Sequence, residues 1–133
     1  MIVLDTHVLL WMDRDDAALG QQARELISQA WARGKVAVSA ISFWECAMLA
    51  QRGRITLPME AEIWRADLLQ AGVSELPLDG RIAQLATRLD GMHRDPADRF
   101  IAATAIQNDA ILLTADQNIL AWQGALKAES ANK

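Results

Sequence analysis

The sequence predicts an α/β fold, a three-layer αβα sandwich built on a mostly parallel central sheet, and two patterns predict it. Short unbroken apolar runs recur at Ile2-Val3-Leu4, Val36-Ala37-Val38 and Ala110-Ile111-Leu112-Leu113, as strands covered on both faces require. Between them lie segments with apolar residues at helical spacing. The resulting order of strand, helix, strand, helix closes by right-handed crossovers into helices on both sides of a sheet.

Taken along the chain, the first run is followed by a helix over residues 6–12, for which Asp5 is a natural cap. Further helices are expected over residues 21–32, 41–51, 60–71, 81–90 and 96–108. Asp95 followed by Pro96 marks the start of the last of these. A weaker strand is expected over residues 73–78 and a helix over 117–122, capped by Asp116. The polar segment 123–133 is expected to carry a short edge strand near residues 125–128 and then to fray. Pro58, Pro77 and Pro96 punctuate the periodic segments, and no repeat or low-complexity tract interrupts them.

A chain of 133 residues with 52% apolar side chains can close one core, so one domain over residues 1–133 is expected. Cys46 is the single cysteine, which excludes an intramolecular disulfide and makes a zinc site unexpected. No basic leader or long apolar run is recognisable, so the expectation is a cytoplasmic protein without a membrane partner. The formal charge of −4 argues at first against a nucleic-acid partner. Setting four candidate metal ligands aside leaves the other residues neutral, and a bound dication makes the local field more positive, so charge does not decide the matter.

Those four candidates are Asp5, Glu45, Asp98 and Asp116. Asp5 and Asp116 each follow a buried strand, at the carboxyl edge where ligands of doubly wound sheets collect. Either could instead be only a helix cap. Glu45 shares a helical stripe with Ile41, Trp44, Met48 and Leu49, which turns it toward the core, where an unpaired glutamate is costly. Asp98 falls in the first turn of its helix on the stripe of Ile101, Ala102 and Ala105; its alternative role is a favourable interaction with the helix dipole. Carboxylates gathered in a low-dielectric cleft repel one another unless a cation intervenes. All-oxygen ligation selects Mg²⁺ or Mn²⁺, which activates water and clamps a phosphodiester.

At these residues the chain resembles the PIN-domain nucleases, and within them the VapC-type toxins of bacterial toxin–antitoxin pairs. The resemblance rests on Leu4-Asp5-Thr6-His7 with Leu9-Leu10-Trp11, on Ser42-Phe43-Trp44-Glu45, on His93-Arg94-Asp95-Pro96-Ala97-Asp98-Arg99 running into Ile101-Ala102-Ala103, and on Leu113-Thr114-Ala115-Asp116. Each piece alone is weak, whereas four in this order and spacing, spanning nearly the whole chain, are specific. The resemblance implies a PIN-like sandwich and an acidic quartet formed by Asp5, Glu45, Asp98 and Asp116, with Asp5 and Asp98 as direct metal ligands and the hydroxyls of Thr6 and Thr114 beside them. It implies a Mg²⁺- or Mn²⁺-dependent endoribonuclease that cuts RNA, commonly structured RNA such as tRNA. An antitoxin that docks a tail into the cleft and a homodimer are further implications. Asp98, which immediately precedes Arg99-Phe100-Ile101-Ala102, matches the family's third acid better than Asp95, whose expected role is the cap.

Other residues receive quieter assignments. His7 and His93 sit at a helix start and in a loop and are not needed as general bases if a metal supplies the nucleophile. Trp11, Trp31, Trp44, Trp64 and Trp122 could stack unpaired bases, but core or interface is the expected place for most, with Trp44 facing inward and Trp64 aligned with Leu68. Arg33, Lys35, Arg52, Arg54, Arg94 and Arg99 are candidate phosphate contacts; Arg99 could equally keep the carboxylates ionised. A doubly wound phosphatase wants a second Asp two residues after the first, where this chain has His7, and a phosphoacceptor signalling domain wants paired acids there. A catalytically silent PIN scaffold or antitoxin-binding module is the remaining alternative; loss of an acid would mark it, and all four are present.

Overall fold

The computed structural model describes all 133 residues. Five strands, β1 (Ile2–Leu4), β2 (Val36–Ser39), β3 (Ser74–Leu76), β4 (Ile111–Thr114) and β5 (Lys127–Ser130), form one sheet in the order β3-β2-β1-β4-β5. Every neighbouring pair is parallel. Seven helices connect them: α1 (Thr6–Asp13), α2 (Gln21–Ala32), α3 (Ala40–Gln51), α4 (Ala61–Ala71), α5 (Gly80–Ala86), α6 (Pro96–Gln107) and α7 (Gln117–Ala121). None is long and apolar enough to cross a membrane.

Strand alternation sorts β1 into two layers. Ile2 and Leu4 join an apolar cluster with Val8, Leu9, Ile27 and Trp64, whereas Val3 packs with Ile101, Ala105 and Ile119 on the other face. This is the αβα sandwich the periodicity calls for, all-parallel where only mostly parallel was expected. A third cluster seats α5 on α6 through Ile82, Ala86, Ala102 and Ala103. Cys46 lies within the first cluster, where burial pushes its thiol up to about 12 and keeps it protonated as packing.

Two segments depart from their expected form, and long-range hydrogen bonds meet both. The helix expected over residues 81–90 stops at Ala86: Thr87 and Arg88 N–H donate three residues back, to Gln84 O and Leu85 O, and the Ala86 carbonyl accepts from Arg99 Nε at 2.8 Å. The end of the chain does not fray. Strand β5 is set two residues later than expected by its register on β4, with Ile111 opposite Lys127, and Ala131 is fully buried. Gly20 N–H donates to Ala131 O at 2.9 Å, and a Cβ on Gly20 would stand 2.2 Å from the Lys133 backbone, so only glycine permits this approach.

Candidate active site

The strand order reverses at β1: β2 and β3 lie to one side and β4 to the other, which opens a crevice at the carboxyl ends of β1 and β4. Asp5 and Asp116 follow these two strands. Asp5 N–H donates to Leu113 O at 3.0 Å, so the ladder itself carries Asp5 to the edge. Asp98 comes from the first turn of α6, which Asp95 caps by accepting from Asp98 N–H at 3.1 Å. The cleft is lined by Asp5, His7, Trp11, Asp98, Ala115 and Asp116.

Hydroxyls orient the acids. Asp5 is 4% exposed; its Oδ1 accepts from Thr6 N–H at 2.8 Å and its Oδ2 from the Thr114 hydroxyl at 2.7 Å. Thr114 Oγ1 also accepts from Asp116 N–H at 3.1 Å, so one side chain positions both acids. The Thr6 hydroxyl donates to Glu45 Oε1 at 2.5 Å and lies 3.0 Å from Ser42 Oγ. With its one proton on Glu45, Thr6 accepts from Ser42. The capping roles of Asp5 and Asp116 are also real, since Asp116 Oδ1 accepts from Asn118 and Ile119 N–H. Cap and site are therefore one arrangement, because a helix N-terminus beginning at the sheet edge needs an acceptor where the cleft has its acids.

Burial is the largest influence on these carboxyls, and it pushes Asp5, Glu45 and Asp98 upward. Asp98 is pushed up to about 7, by desolvation first and then by Asp5, Asp95, Glu45 and Asp116. Hydrogen bonds from Thr114 and Thr6 work against burial at Asp5, and Thr6 does the same for Glu45.

The quartet is not gathered evenly. Asp98 and Asp116 form a tight group with His93, with all three potential ligand atoms within 4.8 Å of one another. His93 Nε2 lies 3.3 Å from Asp98 Oδ2 and 3.5 Å from Asp116 Oδ2. Asp5 lines the same cleft, whereas Glu45 is half-buried at its margin and turned to Thr6. The line of α3 that is buried runs through Ser42 and Cys46, so the inward stripe expected for Trp44 is corrected: Trp44 is 55% exposed, on the far side of the helix from Cys46. Trp64 and Leu68 are buried as expected.

His93 is the residue that sequence reasoning passed over. Its loop position is as expected, but its ring points at the acids, and the nearest signal was its place five residues before Asp98. Arg99 is neither a carboxylate partner nor free for RNA: Nε donates to Ala86 O, and Nη1 to Met92 O at 2.9 Å and His93 O at 3.3 Å. Arg33 and Lys35 precede β2 and so lie at the sheet edge opposite the cleft. Arg52 and Arg54 follow α3, about 10 Å or more along it from Glu45. Arg94 is left as the exposed cation beside the site.

The PIN domain family profile matches residues 2–122. The chain is 34% identical over 119 residues to Ribonuclease VapC22 of Mycobacterium tuberculosis, covering 89% of this chain and 88% of that one. Among solved structures, DNA-bound VapBC from Salmonella typhimurium is 17% identical with a TM-score of 0.70, covering 97% of this chain and 96% of that one. VapBC-1 from nontypeable Haemophilus influenzae is 22% identical with a TM-score of 0.66, covering both chains entirely. At such identity the structures speak for the fold, while the family profile and the curated relative carry the assignment: this chain belongs to the PIN-domain family.

Proposed function

We propose that the chain, as one nuclease domain over residues 1–133, is a divalent-metal-dependent endoribonuclease that acts as the toxin of a bacterial toxin–antitoxin pair. The observation that carries the catalytic reading is the convergence of Asp5, Asp98 and Asp116, from three separate elements, on one cleft at the sheet's switch point. Their repulsion, which contributes to raising Asp98 to about 7, is the electrostatic condition that a bound cation relieves. The relative named a ribonuclease supports RNA as the substrate class.

Asp5, Asp98 and Asp116 would hold Mg²⁺ or Mn²⁺, with Glu45 at the margin of the site. Such an ion supplies a Lewis acid beside the scissile phosphate and activates water for phosphodiester hydrolysis. The chain's own contribution is orientation. Thr114 and the Thr6 N–H fix both oxygens of Asp5, and Thr6 holds Glu45. Exposed Arg94, next to His93 in the chain, is the candidate contact for an RNA phosphate, and Trp11 gives the cleft one aromatic wall. A cognate antitoxin, structured RNA such as tRNA as target, a homodimer and a cytoplasmic setting complete the reading; the likeness to solved VapBC proteins supports the antitoxin.

The test is cleavage of total bacterial RNA by the purified chain with Mg²⁺ or Mn²⁺, with EDTA and Asp5→Ala as controls. Discrete fragments that vanish in both controls are expected. Equal inertness of wild type and variant across metals, in folded protein free of antitoxin, would replace the nuclease by a scaffold.

A further inference from the structure

We propose that His93 is a nitrogen donor to the divalent ion of this cleft, grouped tightly with Asp98 and Asp116 and joining the carboxylates in a mixed nitrogen and oxygen set that favours Mn²⁺ over Mg²⁺. The inference rests on the reading of the cleft as a metal site and goes beyond an all-carboxylate quartet.

Three observations carry it. His93 Nε2 is the one buried side-chain nitrogen or oxygen in the chain without a hydrogen-bond partner. It stands 3.3 Å and 3.5 Å from the Oδ2 atoms of Asp98 and Asp116, yet its N–H direction is unsuited to a hydrogen bond with either. A buried nitrogen left in this way is costly, and in the tautomer that carries the ring proton on Nδ1 the Nε2 lone pair is free to meet a cation. The separations are close to the roughly 3 Å between adjacent donors on one octahedral ion. The third observation is the tether: Arg99, the neighbour of Asp98 on α6, donates to the carbonyls of Ala86, Met92 and His93. The guanidinium thus clamps the loop that presents the imidazole to the same helix that presents Asp98, and the donor pair is held before any ion arrives.

A nitrogen donor changes which ion the cleft prefers. Carboxylates alone serve Mg²⁺ and Mn²⁺ alike, whereas imidazole favours transition ions over Mg²⁺. His7 also lines the cleft but is exposed and outside the tight group, which makes it the internal control.

The experiment is pulsed electron paramagnetic resonance on the full chain loaded with Mn²⁺, read for ¹⁴N coupling, together with calorimetric titration of Mn²⁺ and Mg²⁺. The expected result is nitrogen coupling in wild type and in His7→Asn that is lost in His93→Asn. In His93→Asn the Mn²⁺ affinity falls on the order of tenfold and the Mg²⁺ affinity less. The wild-type spectrum does not depend on any variant folding, and metal-free melting curves show whether His93→Asn is intact. Bound Mn²⁺ without nitrogen coupling in wild type, or coupling that survives in folded His93→Asn, overturns the role of His93. If Asp98→Asn abolishes Mn²⁺ binding in that case, the metal site itself stands. If wild type holds neither ion, both readings fall.

Discussion

The two ends of β1 face different chemistry. Along the strand, Ile2, Val3 and Leu4 sink into apolar clusters, where the neighbours are Leu, Ile, Val, Ala, Trp and the protonated Cys46. One residue further, at Asp5, the surroundings change within a single peptide. The six buried polar residues of the chain, Asp5, Thr6, Ser39, Ser42, Thr104 and Thr114, are strand ends, residues next to them, or partners of these, with Thr104 Oγ1 lying 3.5 Å from Ser39 Oγ. The apolar layers are built to stabilise; the polar edge is built to hold charge that the fold alone does not neutralise. If so, substitutions in the two regions should move stability in opposite directions.

The largest effect belongs to the apolar region. Trp64, 2% exposed, packs edge-on to Phe43 and donates from Nε1 to Asp13 Oδ2 at 2.9 Å. Trp64→Ala should destabilise by about 3–5 kcal/mol in denaturant titration. A much smaller loss would mean that α4 contributes little to the core. The next effect lies at the boundary. Arg99→Ala strips the donors from the Ala86, Met92 and His93 carbonyls and should cost about 1–3 kcal/mol. It should also weaken Mn²⁺ binding through His93, whereas Trp64→Ala in protein that remains folded should leave that binding intact.

At the polar edge the sign reverses. Asp98→Asn removes a charge that its neighbours disfavour, so the metal-free melting temperature should rise by a few degrees while stabilisation by Mn²⁺ disappears. A fall in melting temperature would show that the carboxyls are already relieved without an ion. The smallest effect is the pH dependence of the metal-free protein. Asp98 titrates near 7 when folded and near 4 when unfolded, so the folded state holds the extra proton between these values. The stability contributed by that proton is complete below about pH 4 and is lost as pH rises through about 7. The melting temperature should therefore decline from pH 5 to pH 8 without metal, and the decline should be shallower in Asp98→Asn.

Much of this contrast is legible in the chain. Ile2 to Leu4, Val36 to Val38 and the run ending at Leu113 read as buried strands because continuous apolar sequence has few other uses at that length. Asp5 and Asp116 read as edge acids because Asp5 stands directly after such a run and Asp116 follows the other by three residues. Asp95-Pro96 places the start of α6 and thereby the depth of Asp98. These are local statements, and local sequence suffices for them.

The rest depends on partners distant in sequence. Arg99 donates to the carbonyl of Ala86, the last residue of α5, from thirteen residues away, and no pattern within residues 81–90 announces that. Strand β5 takes its register from β4, and the last residues are pinned by Gly20 and Gln22 rather than left to fray. Trp44 is outside because α3 turns Ser42 and Cys46 inward toward Thr6 and the core, and an apolar stripe alone does not say which side another element will cover. Local sequence thus determined the three central strands, most of the helices and the edge positions of the acids, since each follows from the pattern of its own segment. Only the tertiary structure brought the orphaned nitrogen of His93 against Asp98 and Asp116, because that approach is made by a loop held through the guanidinium of Arg99, a long-range hydrogen-bonding constraint that periodicity does not encode.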